Sequence, residues 1–245
     1  YFIEKNILNN NDINAILNKY LDSNYLNNEK RFDYNLFYPF FDEKILNKIL
    51  SSETMHLAKK FFSMIYQSIP KFQQCPLLII TKPNLNNNEI ENRIKIPATF
   101  HTDYPTEMSL HIPLVDLNEN EIFTTYCQGS NRSYFVLPTT DYDQDYVKKF
   151  KQIKLTSNKG DGILLDTQGI HKAKIEKNSI RIMLFIKFSS EKNLLENIDY
   201  SSNSMKAKKS NFFKFDHEQT LQDMNGHKEK SYLNSNQLKI FNYFL

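Results

Sequence analysis

From Pro76 to Phe188 the chain is a succession of short apolar runs, and no other feature constrains its fold as much. PLLIITK (76–82), RIKIPATFH (93–101), MSLHIPLVD (108–116), EIFTTYC (121–127), SYFVLP (133–138), FKQIKLT (150–156), GILLDT (162–167) and IRIMLFIKF (180–188) each have the length of a strand. They are rich in β-branched and aromatic residues, and turn formers separate most of them. Only DYDQDYVKK (141–149) interrupts them with a short helical pattern. Strands in a row, without a helix between each pair, predict a mainly β fold with flanking helices: a double-stranded β-helix (jelly roll, cupin-like).

The first seventy residues read as helical. INAILNKYL (13–21) and EKILNKILSSETMHLAKKFFSMIYQSI (43–69) repeat apolar residues at intervals of three and four, with Pro70 as a stop. These helices are expected on the outside of one sheet. His56 and Met55 fall on the helical stripe and are expected to pack. Beyond Glu191 no periodicity appears until the apolar end QLKIFNYFL, so the segment reads either as a covering segment or lid or as partly disordered. The chain 1–245 therefore reads as one domain: a helical N-terminal segment over residues 1–70, a jelly-roll core over about 75–190, and a covering segment 191–245.

At 245 residues such a domain buries a sizeable core without disulfides. The two cysteines, Cys75 and Cys127, form no CxxC and suggest no zinc site; a reduced, cytoplasmic protein is expected, with Cys127 a small core residue. The chain starts at Tyr1 rather than a methionine, which leaves room for residues ahead of it. No apolar run is long enough for a membrane span. Lysine and arginine number 31 against 28 acidic residues, a net charge of +3. The densest basic cluster, MKAKK (205–209), has no interleaved aromatic residue, so a nucleic-acid partner is not expected. A small-molecule substrate is; oligomeric state is not legible. Four of the five glycines (Gly129, Gly160, Gly162, Gly169) lie between 129 and 169, concentrating tight turns there.

The stretch TFHTDYP places His101 and Asp103 two positions apart, on one side of an extended chain. Seventy residues on comes His171, in GDGILLDTQGIHKA, and ten further Arg181. Two histidines and a carboxylate on one face of a metal leave the opposite face open, which suits non-haem Fe(II). Arg181 lies in the otherwise apolar strand IRIMLFIKF, where parity sets it with Met183 and Phe185. A charge on an inner face is costly unless paired, so an anionic ligand or a structural salt bridge is expected opposite it.

Taken in this order, over residues 93 to 188, these features resemble the Fe(II)/2-oxoglutarate-dependent dioxygenases, and among them the phytanoyl-CoA dioxygenase-like family. The segment LHIPLVDLNENEIFTTYCQGSNRS is similar to that family's strand, Asp-containing turn and Gly-Ser-His-Arg-like signature. Here the signature reads Gly129-Ser130-Asn131-Arg132, with asparagine for histidine. The resemblance implies that His101, Asp103 and His171 bind Fe(II) and that Arg181 pairs with the distal carboxylate of 2-oxoglutarate. With O2 as second cosubstrate, a small molecule would be hydroxylated, with release of succinate and CO2. Related halogenases carry glycine or alanine where Asp103 stands, so chlorination is not implied; desaturation or ring chemistry by the same oxidant stays open.

Further candidates sit around this set. His111 and Ser109 share a strand face and would contact the cosubstrate; His111 would alternatively face the substrate, or is a buried structural histidine. Thr125 is a candidate for the cosubstrate, and Gln128 and Arg132 for the substrate, unless Arg132 only ties down its turn. His217 and His227 show no metal-site spacing and are expected in solvent. Two other readings remain at this level: a jelly-roll binding protein without turnover, and an oxygenase acting on a macromolecule.

Overall fold

The computed structural model describes residues 1–21, 35–72, 76–82, 99–103, 107–119, 122–132, 142–174, 176 and 179–190. The strand expectations at 93–98 and 133–138, and the segment 191–245 with its MKAKK run, His217 and His227, lie outside those residues. No described helix is long and apolar enough to cross a membrane.

Helix α1 (Asn10–Tyr20) starts at a capping box: the Asn9 side chain accepts the N–H of Asp12, and the Asp12 carboxylate accepts that of Asn9, both at 3.0 Å. The long helical pattern at 43–69 divides in two. Helix α2 (Glu43–Leu50) ends at the serine pair, and Ser52 caps α3 (Glu53–Phe61) by accepting the Met55 N–H at 3.3 Å. A π turn (Phe62–Tyr66) extends α3 and stops at Gln67, whose φ is 48°. The first seventy residues also hold strands that periodicity does not reveal. These are β1 (Phe2–Glu4) and β2 (Asn35–Pro39), with β3 (Pro70–Phe72) just beyond the helices.

The remaining strands are β4 (Leu77–Thr81), β5 (Glu107–Pro113), β6 (Phe123–Gln128), β7 (Lys151–Leu155), β8 (Gly162–Asp166), β9 (His171–Lys174) and β10 (Arg181–Ser190). A short helix α4 (Gln144–Val147) lies within the expected 141–149. The strands form two sheets. The larger runs β1-β8-β5-β10-β4-β2, with β3 also on β10; the smaller runs β7-β6-β9, and His101 bridges to His171 at the edge of β9. Among the described residues every pairing is antiparallel. Followed from β4, the chain passes to the His101 bridge in the small sheet, back to β5, across to β6 and β7, to β8, to β9, and finally to β10. That repeated crossing makes the fold a jelly roll.

Side-chain parity sorts the core. Leu78, Ile80, Leu110, Ile112, Leu164, Ile182, Leu184, Ile186 and Phe188 point away from the small sheet and pack on Ile13, Ile16, Ile45, Leu46, Ile49, Met55, Ala58 and Phe62 of the helices. The helices therefore cover the outside of the large sheet, as their apolar stripes predict. Met55 packs there, but His56, expected on the same stripe, is exposed, because its side chain follows one position on and turns off the buried face. Between the sheets, Ile163 and Leu165 meet Leu117, Tyr126 and Leu155. The same inner face also carries polar side chains, and these define the site.

Candidate metal centre

His101 and His171 are each other's bridge partners. His101 N–H donates to His171 O, and His171 N–H to His101 O, both at 2.9 Å. Residues paired across such a bridge point to the same side of the sheet, and the imidazole centroids lie 4.3 Å apart. The next N–H but one, that of Asp103, donates to Thr167 O at 2.9 Å. Parity therefore brings Asp103 to the same side as His101. Each of the three offers a ligand atom, and these atoms all lie within 4.8 Å of one another.

The two rings are oriented alike. Nδ1 of His101 lies 2.8 Å from Thr99 O, and Nδ1 of His171 2.8 Å from Gly169 O. A carbonyl oxygen only accepts, so both Nδ1 atoms carry the proton. That leaves the lone pair of each Nε2 for a metal. His101 is 3% exposed, and burial, with His171 beside it, lowers its pKa to about 4. It is thus in the neutral form that binds metal. Burial works to raise the Asp103 carboxyl, but the Lys187 ammonium and the two imidazoles override it and hold the group well below the usual carboxylate range. Two imidazole nitrogens and one ionised carboxylate fit a divalent transition metal with open positions.

The turn between β8 and β9 sets His171, and several residues hold that turn. Gly169 N–H donates to Asp166 O at 3.1 Å, and Gln168 N–H to Asp166 Oδ1 at 3.1 Å. A Cβ on Gly169 would lie 2.2 Å from the Tyr126 hydroxyl, so only glycine fits against that ring. The Gly129-Ser130-Asn131-Arg132 signature acts here. Ser130 Oγ accepts the Ile170 N–H at 2.7 Å, and Asn131 Nδ2 donates to Asp166 Oδ2 at 2.7 Å. Asn131 therefore reaches the turn rather than the His101, Asp103 and His171 cluster. On the other side, Gln168 Nε2 donates to the hydroxyl of Tyr66, at the end of the π turn, at 3.1 Å.

The other candidates separate by face. On β10, Arg181, Met183, Phe185 and Lys187 share the inner face, and Phe185 is paired with His111 of β5, their rings 5.1 Å apart. Arg181 is 5% exposed and donates from Nη2 to Thr81 Oγ1 at 3.3 Å. His111 Nε2 and Ser109 Oγ share a hydrogen bond of 3.0 Å. Burial, then the nearby charge of Arg181, then His171, lower His111 to about 3. His111 thus stands within electrostatic reach of both Arg181 and His171. Gln128 shares the inner parity of Tyr126, the partner of His171, and is exposed at the strand end. Thr125 does not reach this face. Its β9 partner is Lys172, so it points to the opposite side of the small sheet, where its near neighbour Cys127 packs with Phe100, Val147 and Ile170. Arg132 closes the turn after β6, and its side chain lies outside the described residues.

Sequence reasoning passed over two charged residues. Lys187 Nζ lies 3.3 Å from Asp103 Oδ2 and 2.8 Å from Glu107 Oε2. Glu107 is 1% exposed, and its backbone carbonyl accepts the Thr167 hydroxyl at 3.2 Å. Burial opposes the charge on Lys187, yet Glu107 and then Asp103 raise its pKa. The available signal was parity: Lys187 falls six positions after Arg181, hence on the same face.

No protein-family model matches the sequence, and no curated protein matches it at a significant level. Among solved structures, similar folds include the epimerase SnoN in complex with Fe3+, alpha ketoglutarate and nogalamycin RO, at 12% identity over 77% of this chain and 78% of that one, with a TM-score of 0.47. HygX from Streptomyces hygroscopicus with iron bound is 8% identical over 78% and 82%, TM-score 0.49. The non-heme alpha ketoglutarate dependent carbocyclase SnoK from nogalamycin biosynthesis is 13% identical over 77% and 79%, TM-score 0.45. The reading of the centre rests on this chain's own side chains.

Proposed function

We propose that this chain is an Fe(II)- and 2-oxoglutarate-dependent oxygenase that hydroxylates a small molecule. One observation carries the reading: His101, Asp103 and His171 converge with both Nε2 lone pairs free, at the edge of the small sheet and beside the inner face of the large sheet, which buries Arg181. His101, Asp103 and His171 would hold the iron. Bound there, the iron and 2-oxoglutarate would couple decarboxylation of the cosubstrate to oxidation of the substrate: substrate, O2 and 2-oxoglutarate give hydroxylated product, succinate and CO2. Arg181 would pair its planar fork of donors with the distal carboxylate of 2-oxoglutarate, supported from Thr81. His111, neutral and tied to Ser109, would line the space between. Phe185, Met183, Ile79 and Leu77 supply an apolar wall that excludes water from the reacting groups. Gln128, at the rim, would meet the substrate, as would Arg132. The finer family placement, phytanoyl-CoA dioxygenase-like, rests on the sequence signature alone.

The test is an anaerobic titration of metal-free protein with Fe(II) and 2-oxoglutarate, watching for the visible metal-to-ligand charge-transfer band. The band is expected in the wild type and lost in His101→Ala. In Arg181→Ala it should need roughly 100-fold more 2-oxoglutarate, the loss of one buried charge-assisted pair. Folded wild-type protein that binds iron yet gives no band sinks the proposal.

A further inference from the structure

The Lys187 ammonium is an unusual neighbour for a cation site, because an unscreened positive charge beside it would repel the ion. Three observations account for it. Its side chain is only 17% exposed and spans two carboxylates, Asp103 at 3.3 Å and Glu107 at 2.8 Å. The Glu107 side chain is 2% exposed, so that pair is sequestered from water and from screening. Thr167 ties the two acidic residues together, accepting the Asp103 N–H at its carbonyl and donating its hydroxyl to the Glu107 carbonyl. The Asp103 main chain is thereby fixed from one side and its Oδ2 from another.

We infer that Lys187, braced by Glu107, is the positioning residue for the metal-binding carboxylate: it occupies Oδ2 of Asp103 and leaves Oδ1 to the ion. Glu107 keeps the ammonium in place and offsets its charge, so the set Asp103, Glu107 and Lys187 carries one net negative charge. With one carboxylate oxygen taken, the protein presents three donor atoms to the metal, and the remaining positions stay open. Outer partners of this kind commonly set metal affinity by about 10–100-fold. The inference rests on the metal-centre reading above and adds a role for residues that reading does not use.

The probe is Co(II), whose affinity is read by competition with a chelator and whose d–d bands report the donor set. Apo-protein circular dichroism and melting establish that each variant is folded. The variants are Lys187→Met with Glu107→Gln, which removes both charges at once, Lys187→Gln, and Lys187→Arg. Wild-type protein binds Co(II). The double variant folds but binds about 10–100-fold more weakly, with altered d–d bands, and Lys187→Arg restores affinity to within about threefold. Unchanged affinity and bands in the double variant overturn the inference. So does tighter binding, which would make Lys187 merely a nearby repelling charge. Should the double variant not fold, Lys187→Gln against Lys187→Arg decides: at least tenfold weaker binding for Gln alone supports the role, and equal affinities overturn it. Folded wild type that binds no Co(II) removes the metal-centre reading itself, an outcome distinct from any difference among variants.

Discussion

His101 and His171 reached the same place by two independent routes, a hydrogen-bonded bridge and matching Nδ1–H contacts to carbonyls two residues back. That symmetry depends on small details of the turn before His171. Gly169→Ala would drive a methyl into the Tyr126 ring, whose nearest atoms stand 2.2 to 2.6 Å from the new Cβ. Tyr126 is buried and has little room to yield. The expected cost is about 1–3 kcal/mol of stability, together with weaker metal binding, because the Gly169 carbonyl orients His171. Thermal melting and Co(II) titration check the two effects separately. The site was partly legible in the sequence for a residue-scale reason. His101, Asp103, His171 and Arg181 show through because period-two parity and a fixed spacing survive without knowledge of pairing. Thr125 was misplaced because a one-residue shift of register turns a strand side chain to the other face. Lys187 and Glu107 were hidden because a lone lysine or glutamate ordinarily reads as solvated, and the ion pairs of Lys187 with Glu107 and Asp103 become visible only in the folded chain.

Among the elements, the π turn after α3 has the least expected connection. It places the Tyr66 hydroxyl against Gln168, joining the helical layer to the turn that precedes His171. Single π turns inside helices often accompany functional sites. Tyr66→Phe leaves the buried Gln168 amide without this acceptor and should cost about 1–3 kcal/mol. The loss would be read by denaturant unfolding, with the turn before His171 exchanging amide protons faster than the sheet core. An unchanged exchange rate at 166–170 would show that the contact does not brace the turn. Elements with long, regular apolar patterns, α1 and the core strands, were legible. The strands β1, β2 and β3 were not. At three to five residues they are too short to show a period, and neighbouring strands rather than their own propensity decide their pairing. The division between α2 and α3 follows from a cap: Ser52 satisfies the Met55 N–H better than a continuous helix would use a serine pair.

For the molecule as a whole, the buried polar face makes stability depend on pH. His111 stays neutral in the folded protein down to about pH 3, whereas the unfolded chain takes up a proton near 6.5. Between those values the unfolded state binds more protons. The contribution is therefore complete above about pH 6.5 and is lost as pH falls toward 3, at up to about 1.4 kcal/mol per pH unit. Denaturant unfolding of metal-free protein at pH 7 and pH 5 should show this loss, and His111→Gln should lessen it. An equal loss in the variant would mean that His111 is not its source. The His101–His171 bridge has a different consequence. It closes a loop of seventy residues with two hydrogen bonds, and nothing in the unfolded chain holds His171 near His101 and Asp103. An ion bound there is a clasp on the chain. Free metal at a hundred times its dissociation constant would add about 2.7 kcal/mol to folding, a rise in melting temperature that a chelator reverses and Asp103→Ala abolishes. In a cell short of such a metal the clasp would open more often, and the protein would stand closer to proteolysis. Its abundance, and not its turnover alone, would then follow the metal supply.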